Sequence, residues 1–154
     1  MALIGIDDLS SLSGPVLGID PGTKTFGLAL CDKTRLVASP LETIKRKKFT
    51  PDAQRIFTLY DQHDCAAIVI GYPVNMDGSE GPRTQSVKDF ATNLLGLRDV
   101  PILFWDERLS TAAVTRTMID ADMSRAKRAD NVDKLAAAYI LQGVIDRLRS
   151  GSHQ

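Results

Sequence analysis

Apolar positions along the chain fall into two kinds of run. Val16 to Ile19 and Phe26 to Cys31 are short, and the tight polar stretch DPGTKT joins them. Each predicts a strand. Arg35 to Ala38, closed by Ser39-Pro40, predicts a third, so the chain opens as an antiparallel meander. CAAIVIGYP (65–73) and VPILFW (100–105) are apolar almost throughout, as in strands buried on both faces. Elsewhere the period is helical. Pro51 opens a segment in which Ala53, Ile56, Phe57 and Tyr60 share a face, and Pro82 opens another with Val87, Phe90, Ala91 and Leu94. Ser110 is placed to cap a helix reaching about Asp120, with Leu109 and Val114 as a hydrophobic staple. A polar, basic interruption follows at 122–130. A last helix then begins near Asn131, with Leu141, Val144, Ile145 and Leu148 as its stripe. The order is three strands, helix, strand, helix, strand and two helices. It predicts an α/β fold, a mixed sheet covered by helices on both faces.

Composition narrows the class. A chain of 154 residues suits one core and one domain, taken as 15–150 between a polar leader (1–14) and a short tail (151–154). With 44% hydrophobic and 25% charged residues it reads as a soluble globular protein. No apolar run reaches the roughly 18 residues of a membrane span. The start, MALIGIDDLSSLSG, carries two acids and no basic region, unlike a signal peptide. Cys31 and Cys65 lie in or beside apolar runs without a CxxC, which argues against zinc and a disulfide scaffold and for a reducing cytoplasm. Nineteen basic residues balance 19 acidic ones, so indiscriminate coating of nucleic acid is not expected. Two local basic clusters remain, KRKK at 45–48 and RAKR at 125–128. Alone, each reads as a solvated loop.

Acids at element ends bring in chemistry. Asp20 ends the first strand, Asp106-Glu107 ends the last, and Asp133 opens the last helix. In open α/β sheets ligands gather at such strand ends. Acids collected there repel one another without a cation, and oxygen ligands suit magnesium or manganese. Each acid also has a plain structural explanation. Asp20 precedes a Pro-Gly turn, the pair at 106–107 is solvated where a strand stops, and Asp133 complements a helix dipole. Two details favour the site. Helical spacing aligns Asp133 with Ala136, Ala137, Ile140 and Val144, an inward stripe. Adjacent strand residues point to opposite faces, so only one of Asp106 and Glu107 can face a common site. Periodicity does not choose between them.

Four motifs in order, GIDPGTKTFGLAL, IVIGYPVNMDGSE, DERLST and VDKLAAAYIL, resemble the pre-16S rRNA nuclease family, also called Holliday junction resolvase-like or YqgF-type, from about Val16 to Leu148. The resemblance implies a ribonuclease H-like fold with a five-stranded mixed sheet, and phosphodiester hydrolysis with one or two Mg2+ or Mn2+ ions. It implies that Asp20, Glu107 and Asp133 are the catalytic and metal-binding acids, and so selects Glu107 from the pair. Asp130 is a candidate fourth acid, although capping the last helix suits it better. The implied partners are RNA, namely pre-16S rRNA in a pre-ribosomal particle, or branched DNA, with no membrane.

Other residues are candidates for phosphate. Thr23 and Lys24 follow Asp20, Arg83 opens a helix, Arg108 follows Glu107, and Lys45, Arg46, Lys47 and Lys48 form a track suited to a polyanion. The implied activity is 5'-end maturation of pre-16S rRNA. A junction-cutting DNA endonuclease and a non-catalytic RNA-binding module of the same fold are the alternatives. An ATPase of the actin and sugar-kinase type also carries an Asp-x-Gly-Thr turn, but it needs two such domains around its nucleotide.

Overall fold

A computed structural model describes residues 3–22, 24–73, 79–106 and 125–151, the last stretch with side chains from Lys134 to Arg149. Five strands form one sheet in the order β3-β2-β1-β4-β5: β1 (Val16–Pro21), β2 (Thr25–Cys31), β3 (Ala38–Lys45), β4 (Ala67–Tyr72) and β5 (Ile102–Asp106). β1 pairs antiparallel with β2 and β2 with β3, while β1–β4 and β4–β5 are parallel. The described helices are α1 (Ile6–Ser11), α2 (Phe49–Gln62), α3 (Pro82–Leu97) and α4 (Arg125–Gly151). None is long and apolar enough to cross a membrane.

The strand period of two divides the core into two layers. Leu17, Ile19, Ile68, Ile70 and Ile102 pack under α2 and α3. Val16, Ala29, Ala67, Val69 and Leu103 pack under α4, together with Leu9 of α1. The segment before Gly14, read from sequence as a polar leader, holds this buried Leu9, and Ile4, Ile6 and Leu12 pack beside it. Its start runs along β5, where the Ile4 amide donates to the Ile102 carbonyl at 2.8 Å. The Arg35 guanidinium ties it to the sheet by donating to the carbonyls of Leu9 (2.9 Å) and Gly14 (3.1 Å).

Three boundaries differ from the sequence reading. The third strand is 38–45, not 35–38. Ser39-Pro40 looked like a stop, but β3 is an edge strand, where a missing N–H is tolerated. The register shifts at Leu28/Ala29, opposite this stretch. Lys45 is therefore the last residue of a strand, and KRKK begins on the sheet. α2 begins at Phe49, two residues before Pro51. The basic interruption at 122–130 is helical from Arg125 onward, because Arg, Ala and Lys are good helix formers. Asp130 therefore lies inside α4 and is not its cap. The expected helix from Ser110 lies outside the described residues.

α4 rests on the sheet where side chains are smallest. A Cβ placed on Gly18 meets Leu141 Cβ at 3.1 Å and the Ala137 carbonyl at 3.4 Å. Gly18→Val should therefore push α4 off β1. Overpacking of this kind costs about 1–3 kcal/mol, read as a lower urea midpoint. An unchanged midpoint would show that the helix yields freely.

Candidate active site

β2 reverses direction, so the C-terminal ends of β1, β3, β4 and β5 lie at one edge of the sheet. The start of α3 and the N-terminal part of α4 adjoin that edge. Asp20 sits there on the central strand, inside β1 rather than beyond it, paired in register with Gly27. It is one of three buried polar residues among those described, with only 2% of its surface exposed. The alternation that puts Val16 and Gly18 under α4 puts Asp20 on the same face.

The course of α4 relates Asp133 to Asp20. The Ala38 amide donates to Gln142 Oε1 at 2.8 Å, and Ala38 pairs through Cys31 with Val16. Ala137 and Leu141 stand over Gly18. Moving toward the helix start thus moves along β1 toward Asp20. Asp133 precedes Ala137 by four residues, about 6 Å along the helix. Asp20 follows Gly18 by two residues, about 6.6 Å. The Asp133 backbone is described and its side chain is not. Its helix-dipole explanation weakens, because it lies more than two turns inside α4 and the dipole acts within the first turn. The stripe it was aligned with is buried: Ala136, Ala137, Ile140 and Val144 are at most 2% exposed.

On β5 the alternation is equally regular. Ile102 and Phe104 pack with α2 and α3, while Leu103 and Trp105 pack on the α4 side. Asp106, in register with Tyr72, falls on the face of Phe104, opposite to Asp20. Glu107, Arg108 and Thr23 lie outside the described residues.

The phosphate candidates separate. Arg46 and Arg83 converge on the turn after Asp20. Arg83 donates to the Pro21 carbonyl at 3.0 Å and Arg46 to the Gly22 carbonyl at 2.7 Å. The Arg46 guanidinium also lies 4.4 Å over the Phe26 ring, and its backbone amide donates to the Lys24 carbonyl at 2.9 Å. Lys24, Lys45, Lys47 and Lys48 are exposed at the same edge. The Lys47 amide donates to the buried Asp52 of α2 at 3.1 Å, which fixes the end of the track.

A cluster not expected from sequence sits past β4. The Tyr72 hydroxyl donates to Glu80, and Lys88 Nζ donates to the same carboxylate at 3.2 Å. These bonds hold Glu80 below the usual carboxylate range. Burial and the bond to Glu80 push the Tyr72 hydroxyl up. Tyr72 and Glu80 both belong to the second motif but lie eight positions apart, one in β4 and the other outside any strand or helix, so their pairing has no periodic signal.

The donor set is oxygen only. Burial pushes the Cys65 thiol up to about 12 and the Cys31 thiol up as well, so neither is a thiolate at neutral pH. Cys31 pairs with Val16, at the end of β1 away from Asp20. Among the described residues no three His, Cys, Asp or Glu side chains form a metal-holding group. Asp20 is the described member of the predicted three, and a buried carboxylate suits a hard divalent cation.

The sequence pattern of the RuvX family, described as a Holliday junction resolvase, matches residues 14–147. The chain belongs to this family. A protein from Methylocella silvestris named "Putative pre-16S rRNA nuclease" is 56% identical, over 96% of this chain and 93% of its own length. One from Beijerinckia indica with the same name is 60% identical, over 92% and 87%. The solved structure of T. thermophilus RuvC in complex with Holliday junction substrate covers 92% of this chain and 97% of its own, with a TM-score of 0.55 at 14% identity. That likeness shows the fold, which is ribonuclease H-like as the resemblance implied. The RuvX family is a nuclease family, and the chain is a hydrolase of phosphodiester bonds. Nucleases of this fold generally use divalent metal ions.

Proposed function

We propose that this RuvX-family chain matures the 5' end of pre-16S rRNA in the cytoplasm, within a pre-ribosomal particle, with Mg2+ or Mn2+ held by Asp20, Glu107 and Asp133. The observation that carries the reading is Asp20, a carboxylate buried on the central strand beneath the helix that bears Asp133. Burying a carboxylate is costly, and a cation offsets that cost. The family names of the relatives support the RNA substrate.

Bound divalent ions supply an activated water and charge stabilisation at the leaving oxygen. The chain's part is geometric. β1, the central strand, pairs Asp20 with Gly27 of β2, and the arginine-held turn after it fixes where the strand ends. Lys24 and the residues 45–48 attract phosphates along the same edge. Thr23 and Arg108 are further candidates for phosphate contact.

The test incubates the purified protein with precursor 16S rRNA, an unrelated single-stranded RNA and a four-way DNA junction, each with magnesium, manganese or a chelator. Metal-dependent cutting of the precursor is expected. Cutting of the junction alone would move the activity to branched DNA. Binding without cutting under every metal would leave an RNA-binding module.

Asp133→Asn is expected to lower hydrolysis on the order of 10²-fold and weaken metal binding by calorimetry, with little loss of stability. Normal metal binding and wild-type cleavage would remove Asp133 from the site.

A further inference from the structure

Beyond the turn that follows Asp20, a cleft opens between that turn, the KRKK segment and α3. Its inner part is small, about 150 Å³, and is lined by Pro21, Gly22, Arg46 and Arg83. It continues into a wider groove of about 500 Å³, lined by Phe49, Gln85, Asn93 and Asp89, with Arg46 and Ser86 common to both parts. We propose that this cleft binds one unpaired nucleotide of the substrate, its phosphate on Arg46 and Arg83 and its base in the groove beside Phe49. The proposal rests on the nuclease reading and extends it to substrate class: the strand next to the cutting site is single-stranded.

Three observations carry it. First, the two guanidiniums are fixed before anything binds. Each spends a donor on a carbonyl of the turn, and Arg46 is also stacked on Phe26. A guanidinium has five donors, so donors remain for a phosphate, and little ordering cost is left to meet. Second, the aromatic wall is rigid. Phe26 stacks on Phe90 at 4.7 Å, and Phe49 meets Phe90 edge-on at 6.2 Å. Phe49 remains half-exposed, so its ring is available to a base. Third, charge is graded along the cleft. The arginines stand at the inner end and the Asp89 carboxylate in the groove. Two guanidiniums draw a phosphate to the first part, whereas in the second Asp89 opposes the one arginine, Arg46, that also lines it. A base, with polar edges and no charge, suits the groove, which Asn93 also lines and where the Gln85 amide donates to Asp89 at 2.9 Å and so tempers its charge.

The experiment is fluorescence anisotropy of a dye-labelled single-stranded RNA oligonucleotide and its duplex, in chelator so that nothing is cut. Arg46→Ala and Arg83→Ala should each weaken single-strand binding about tenfold and reduce the salt slope by about 0.7. Arg46→Lys and Arg83→Lys keep the charge and should restore the slope, which separates phosphate contact from a disturbed turn. Phe49→Ala should weaken single-strand binding about fivefold at an unchanged slope, and leave duplex binding alone. Unchanged slopes in both alanine variants, or equal losses for single strand and duplex in Phe49→Ala, would overturn the proposal. A wild-type protein that cuts RNA, with alanine variants that keep its slope, sinks the cleft and keeps the nuclease reading. One that cuts nothing yet shows these losses does the reverse.

Discussion

Asp20→Asn should lower hydrolysis on the order of 10³-fold or more while single-stranded RNA still binds. Asn keeps the shape of Asp, so the strand and its packing under α4 are preserved. The charge that holds a divalent ion is lost, and with it several kcal/mol of transition-state stabilisation. Folding stability should change by no more than about 1 kcal/mol, because an amide in the same place still makes hydrogen bonds and is cheaper to bury than a carboxylate. The check is a cleavage time course beside anisotropy and thermal melts. Turnover at the wild-type rate would take Asp20 out of the chemistry and leave its burial on β1 to be explained by structure alone.

The second large effect separates the two acids of DER. Glu107→Gln should abolish cleavage, and Asp106→Asn should lower it less than about tenfold. The reason is parity along β5. Asp106 follows Ile102 and Phe104 onto the α2–α3 face, whereas Asp20 lies on the α4 face with Gly18 and Val16. Asp106 is thus turned away from the side of Asp20, which leaves Glu107 as the acid of this pair that the proposed site requires. Cleavage rates of the two variants at saturating metal decide it. The reverse ranking would place the metal on the other face of the sheet and would also take Asp133 out of the site, since α4 packs on one face only.

Several parts of this arrangement could be read from residue order. The buried strands 65–73 and 100–105 and the stripes of α3 and α4 are long, regular patterns, and periodicity locates such elements well. The rise of Asp133 with Ala136, Ala137 and Ile140 along one face is a property of helical spacing, and those three alanine and isoleucine positions are buried. The motifs that resemble the RuvX family were legible as well, since each is a short contiguous stretch of sequence. Elements governed by neighbours were not. Pro40 reads as a stop until β3 is known to be an edge, because only a central strand needs its N–H. The helical state of 125–130 depends on the rest of α4, which lends cooperativity to a basic stretch that looks like a loop alone.

Sequence by itself determined the fold class and the family, because these follow from local period and motif spacing; it put Asp133 at the opening of a helix that in fact begins at Arg125. It could not choose between Asp106 and Glu107 from the residues alone, because the face of β5 is defined only against the strands and helices beside it. Nor could it assign Arg46 and Arg83 to one cleft. They are far apart in the chain, and they meet only because β3 ends and α3 begins at the edge where Asp20 sits. Contacts between distant segments carry no periodic signal. They arise when the sheet order β3-β2-β1-β4-β5 brings those segments together.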